Sequence, residues 1–238
     1  MTRMDIVEYK RRYGGQDAAV PGWDAIDSRL HAVYLGQEPK HWGTIIKHML
    51  GGPDPLDGIS AYQCADGGIN HLHFITYGYT SLYYDEDAVG GEYSRFGFEM
   101  TFRLASKLPP PEEPIWVCNL LQNLARYVFK SGRCFEQYHW IPANGPIRLD
   151  YDIDIVGLAF LNDPKLEPLD SPHGRVEFIQ AFGITQTERE PSVSELDASN
   201  RMSNQSAEGY LLIETRSVWA PRGHPASSLD VTIITTPL

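Results

Sequence analysis

The sequence predicts an α/β (α+β) fold, a central mixed β-sheet flanked by helices, and three observations carry that prediction. Residues 114–130 repeat with a helical period, residues 96–104 alternate strictly with a period of two, and further strand-like segments alternate with helices, some at hairpin-length gaps. At 238 residues, 42% of them hydrophobic and 27 aromatic (9 Phe, 5 Trp, 13 Tyr), the chain has apolar surface enough for one large domain or two small ones.

The elements follow in chain order. Trp23, Ile26, Leu30, Val33 and Tyr34 form a single apolar stripe that Gly36 and Pro39 close, which predicts a helix. In Gly51–Gly58 (GGPDPLDG) every residue except Leu56 is a turn former, so an ordered turn is expected, held by Asp54 and Asp57 bonding nearby backbone N–H groups. Ile69–Tyr77 reads as a strand. So does 96–104, where Phe96, Phe98, Met100, Phe102 and Leu104 share one face and Gly97, Glu99, Thr101 and Arg103 the other, the pattern of a half-buried strand. Val117, Leu120, Leu121, Leu124, Tyr127 and Val128 mark the clearest helix, with Pro114 before it and Gly132 after it. Tyr151–Leu161 and Arg175–Ile184 read as strands, and Val231–Thr235 as a short edge. Gln186–Gly209 is mostly polar and is expected to be a mobile connection or lid.

Composition excludes several classes of function. Twenty Lys and Arg against 31 Asp and Glu leave a formal charge of −11, which opposes the phosphate neutralisation that direct nucleic-acid binding needs. The longest apolar runs are four residues, as at 158–161, against the roughly 20 that a membrane helix requires, so no membrane partner is expected. The charged N-terminal MTRMDIVEYKRR does not read as a secretory signal, and Cys64, Cys118 and Cys134 show no C-x-x-C spacing. The expected compartment is the cytoplasm, with reduced thiols.

Candidate chemistry is sparse. His71 and His73 lie two apart on a strand and so share a face. They either start a metal site, with His139, His173 or an acid as third ligand, or are hydrogen-bonded in or beside the core. No third ligand is nominated by spacing, so neither metal nor cofactor is expected. Asp150, Asp152 and Asp154 alternate with Tyr151, Ile153 and Ile155, and together with Asp85, Glu86 and Asp87 they give acidic surface that is solvated, partner-binding, or a site for calcium or acid/base work. The glycine-rich turn lacks the Lys and Ser/Thr of a P-loop, and neither a G-x-S-x-G elbow nor an H-E-x-x-H helix is present.

Six segments in order, GGPDPLDGISAY (51–62), HLHFITYG (71–78), FGFEMTFRL (96–104), LLQNLARYVF (120–129), LNDP (161–164) and SPHGRVEFIQAFGIT (171–185), resemble the Suppressor of fused (Sufu) domain over about residues 21–185. The resemblance implies a mixed sheet with flanking helices and no enzymatic activity. In animal relatives it implies the N-terminal half of a two-domain protein whose halves close around a transcription-factor peptide by strand addition. With about 50 residues after Ile184, this chain resembles instead the single-domain bacterial form, which implies an immunity protein that neutralises a toxin. Tyr127 matches a family tyrosine at the peptide clamp. Gln137, Tyr138 and His139 stand where the animal family has an acidic residue, so the transcription-factor peptide does not carry over.

The expected organisation is thus an N-terminal extension (1–20), a Sufu-like domain (21–185), and a polar connection with C-terminal elements packed on it (186–238). The expected function is non-catalytic binding and inhibition of a protein partner, a basic toxin, through Tyr127, Asp85, Glu86, Asp87, Asp150, Asp152 and Asp154. The rival readings are a small metal-dependent enzyme using His71, His73 and a carboxylate, and a structural subunit.

Overall fold

The structure, a computed structural model, describes residues 4–16, 18–66, 68–142 and 155–185, together with the backbone of 211–219 and 227–235. Its helices are α1 (Ile6–Tyr13), α2 (Pro21–Val33) and α3 (Ile115–Ser131). The strands are β1 (Lys40–Gly43), β2 (Gly58–Asp66), β3 (Ile69–Tyr77), β4 (Tyr93–Ala105), β5 (Trp140–Pro142), β6 (Ile155–Asn162), β7 (Leu169–Ser171), β8 (Gly174–Thr185), β9 (Leu211–Trp219) and β10 (Ser227–Thr235).

The main sheet runs β1-β2-β3-β4-β8-β6-β5, with β7 paired to β8, β9 to the end of β4, and β10 to β9. β1 to β4 form an antiparallel meander, whereas β4 and β8 pair in parallel, Phe98 opposite Glu177 through Phe102 opposite Ala181. A parallel pair needs a crossover, and α3 lies in that crossover. The mixed sheet and both periodic helices therefore appear as expected.

The α3 stripe explains its position. Val117, Leu121, Leu124 and Val128 are buried against Phe74, Met100, Phe102 and Phe160 on one face of the sheet. The helix stops at Gly132, whose left-handed φ of 70° lets its N–H donate to the Val128 carbonyl. On the other face α2 sets Ile26, Leu30 and Tyr34 against Tyr62, Ile75, Tyr77 and Phe178. Between Tyr93 and Phe98 the β4–β8 register slips, and Gly97 sits in the slip at φ 85°, a β-bulge that a side chain would strain.

β4 differs from expectation in one respect. Its second face is not solvated: Glu99, Thr101 and Arg103 are as buried as Phe98 and Met100. The reason is that the LNDP turn and the chain at 76–80 close on this face, so the polar residues lie inside and must find partners there. The 51–58 turn is ordered, but it is held from α3 rather than by its own aspartates. Leu56 is fully buried; its N–H donates to Gln122 Oε1 at 3.1 Å, and its carbonyl accepts from Gln122 Nε2 at 3.1 Å and Thr44 Oγ1 at 2.6 Å. Arg126 pairs with Asp54. Residues 186–209 lie outside the described residues.

Candidate functional site

The buried polar layer is built around Asp163 of the LNDP turn. Asp163 Oδ2 accepts from Thr101 Oγ1 at 2.6 Å and from His73 Nε2 at 2.9 Å. Its Oδ1 accepts from Arg103 at 2.8 Å and from the N–H groups of Lys165 and Leu166 at 2.8 and 3.1 Å. Because Nε2 of His73 donates, its Nδ1 accepts from the Tyr34 hydroxyl. Arg103 also donates to Gln180.

Burial works to raise the Asp163 pKa, but His73, Arg103 and their hydrogen bonds outweigh it and hold the carboxyl well below the usual range. Burial, with Arg103 beside it, lowers His73 to about 4, so the imidazole is neutral. With both nitrogens of His73 committed and the ring fully buried, the His71/His73 pair of the rival metal-enzyme reading does not form. This layer is scaffold. A second buried acid, Glu99, accepts from Thr76 and Thr80 hydroxyls at 2.7 and 2.6 Å and from the N–H groups of Gly78 and Thr80 at 3.1 and 3.0 Å. Burial raises its pKa, and its bonds shape the chain at 78–80.

That chain forms one wall of an open groove of about 450 Å³, which His48, Met49, Tyr83, Tyr84, Asp85 and Arg95 help to line. The segment 44–51 contributes His48 and Met49 to its lining. It is anchored by the Gln122 bonds, by the His48 ring edge-on to Phe129 at 5.2 Å, and by Lys47, which reaches the Tyr83 hydroxyl. Anchored at its back, it turns large apolar side chains outward: Ile45 is 99% exposed, Ile46 55%, Met49 70% and Leu50 74%. Sequence reasoning missed these four residues. Their one signal was two apolar pairs four apart (Ile45, Ile46; Met49, Leu50) beside the glycine-rich turn, too short a run to show a period.

Of the residues expected to bind a partner, Asp85 lines this groove. Asp85, Glu86 and Asp87 are all exposed. Their loop is tied to α1: Tyr9 Oη accepts from the Asp85 N–H at 3.0 Å and donates to His173 Nε2 at 2.7 Å, while His173 Nδ1 donates to the Ser81 carbonyl at 2.8 Å. Glu86 is partly neutralised by Lys10 at 2.6 Å. Tyr127 does not line the groove. It lies 44% exposed on α3, its ring stacked 5.7 Å from Phe135, which stacks in turn on Phe160. Asp150, Asp152 and Asp154 lie outside the described residues. No described helix is long and apolar enough to cross a membrane.

The family model of the Suppressor of fused protein (SUFU) matches residues 52–202, a span that contains the polar layer apart from Tyr34 and begins just after Leu50. The Suppressor of fused homologs of Homo sapiens and Mus musculus are each 34% identical over 176 residues, covering 70% of this chain and 36% of their own length. The chain therefore spans about a third of these curated relatives. Among solved structures, that of Drosophila Suppressor of Fused superposes with a TM-score of 0.63 at 32% identity, over 71% of this chain and 43% of that one. The Sufu-Fu complex crystal structure superposes with a TM-score of 0.66 at 32% identity, over 79% of this chain and 84% of that one.

Proposed function

Since the chain belongs to the Suppressor of fused family, we propose that it is a non-catalytic, cytoplasmic protein-binding protein that sequesters and inhibits a basic protein partner, acting as an immunity protein toward a toxin. The observation that carries the reading is the run of exposed apolar side chains at Ile45, Ile46, Met49 and Leu50, of which Met49 lines the groove together with Asp85. Burying such side chains stabilises a complex by ~1.5–3 kcal/mol each before the costs of association, and exposed apolar clusters of this kind mark interfaces. A net charge of −11 steers a basic partner toward the groove, and toxins that attack nucleic acids are basic for the reason this chain is not a nucleic-acid binder. One solved relative is captured as a complex of Sufu with Fu, which supports a binding role for the fold. Tyr127 is a further contact, an exposed aromatic braced from behind by Phe135.

The test is pull-down with the product of the adjacent reading frame, followed by binding kinetics. Ile46→Asp with Met49→Asp, both in this exposed run, should weaken the complex at least ~30-fold through faster dissociation. Asp85→Asn with Asp87→Asn should slow association at low salt and matter less at ~0.15 M, where the screening length is ~8 Å. A complex unaffected by the Ile46 and Met49 variants refutes the groove as the interface. Turnover of a substrate by the purified protein refutes the non-catalytic reading.

A further inference from the structure

Cys64 and His71 stand opposite each other across the β2–β3 hairpin, and Asp66 follows two residues along the same face of β2. The Cys64 sulfur, an Asp66 carboxylate oxygen and a His71 ring nitrogen all lie within 4.8 Å of one another. The His71 ring is fully buried, and its Nδ1 donates to the Ile69 carbonyl at 3.2 Å, which leaves Nε2 with a lone pair. That lone pair faces an Asp66 oxygen 3.6 Å away and has no hydrogen-bond partner. The other two fully buried imidazoles among the described residues, His73 and His173, have both nitrogens engaged. A buried nitrogen left without a partner is rare and requires an account. Here two electron-pair donors point at each other beside a thiol, an arrangement that lacks only a cation between them.

We propose that Cys64, Asp66 and His71 form a binding site for one zinc-like divalent cation. The donor set of thiolate, imidazole and carboxylate is the mixture a borderline-soft ion with tetrahedral preference takes, at ligand distances of ~2.0–2.3 Å, which asks the three side chains to close inward by small rotations. On binding, the Cys64 S–H proton leaves to solvent and the thiolate forms the metal bond. Three protein ligands leave the fourth position to water or to a donor from another molecule. Entry is from the side of Asp66 and Lys165, whose side chains are 24% and 23% exposed. Lys165 Nζ, 3.1 Å from Asp66 Oδ2, occupies the mouth and competes with the ion for the carboxylate. The site differs from the His71/His73 pair that strand spacing picks out, and it is independent of the groove and of the binding role proposed above.

Full-length protein stripped with chelator and dialysed is titrated with Zn²⁺ by calorimetry and with Co²⁺ by absorption, where a thiolate-to-cobalt charge-transfer band reports the sulfur ligand. The expected result is one saturable equivalent of zinc, release of a proton, and the cobalt band. Cys64→Ser should abolish the band, Cys134→Ser should leave it, and Asp66→Asn or His71→Gln should weaken zinc at least ~10-fold. Lys165→Met should tighten it. Absence of one-to-one binding, or a band that survives Cys64→Ser or vanishes with Cys134→Ser, overturns the site. Should either buried replacement unfold the protein by circular dichroism, the partly exposed Asp66 and Lys165 decide the matter: unchanged zinc affinity in both variants overturns it.

Discussion

Replacing Asp163 with Asn is the sharpest probe of the scaffold, because one carboxylate collects five hydrogen bonds. Every one of its neighbours is a donor. The new NH₂ must therefore face donors whichever way the amide turns, and it does least harm toward Thr101 and His73, whose hydroxyl and tautomer can adapt. That orientation still leaves the buried Arg103 guanidinium without its counter-charge. Removing one member of a buried ion pair costs ~3–5 kcal/mol, a large share of the ~5–15 kcal/mol that holds a domain folded. At ~2–4 °C per kcal/mol for a chain of this size, the midpoint of thermal unfolding should fall by ~6–20 °C. Urea unfolding is the cleaner assay: the midpoint should drop with an unchanged slope, since the surface exposed on unfolding is the same. Arg103→Met combined with Asp163→Leu should be less destabilised than the sum of the two single variants, by ~0.5–3 kcal/mol, because no lone charge remains. A loss under about 1 kcal/mol for Asp163→Asn would refute the claim that this layer is electrostatically coupled.

Three further outcomes follow from the same geometry. Burial lowers the His173 pKa from its unfolded value of ~6.5, against the Ser81 carbonyl bond and Asp85, which raise it; stability is therefore full above pH ~6.5 and is lost as pH falls toward the folded value, and His173→Gln should flatten that slope in urea melts taken from neutral to mildly acidic pH. Gln122→Ala leaves the Leu56 N–H and carbonyl buried without their α3 partner, so it should cost ~1–3 kcal/mol and open Lys47 to trypsin, whereas wild-type resistance there would show that the segment is held by other contacts. Gly97→Ala forces a side chain into φ 85° against the Tyr93 ring at 3.1 Å and should lower stability by ~1–2 kcal/mol by the same melts.

What the sequence revealed depended on how local each signal is. The helix α3 and the strands β3 and β4 are long enough for a period to stand out, and the six ordered motifs identified the family that the comparisons show. β2 was not legible because Ser60, Ala61 and Tyr62 are all buried, so apolar and polar positions do not alternate along it. β1, β5 and β7 are three or four residues long, too short to carry any period. The polar face of β4 resembled a solvated one because its partners, Asp163 and Gln180, lie 60 and 77 residues from Arg103 along the chain. The groove escaped for the opposite reason, since an exposed Ile or Met reads as core until the fold shows it facing water. Cys64, Asp66 and His71 are united only by hairpin register, which spacing alone does not supply.

The order of assembly is also written into the polar layer. A nascent chain that has emerged through 142 holds the β1–β4 meander and α3, and so can bury the apolar face of the sheet on local contacts alone. Its other face then carries Arg103, His73 and Thr101 with no acceptor to receive them, because Asp163 and Gln180 are still unmade. The parallel β8 strand and the LNDP turn must arrive together to close it, a long-range event that pays loop entropy before any contact returns it. During synthesis the half-built sheet therefore leaves Arg103 and Thr101 to water until the LNDP turn supplies Asp163.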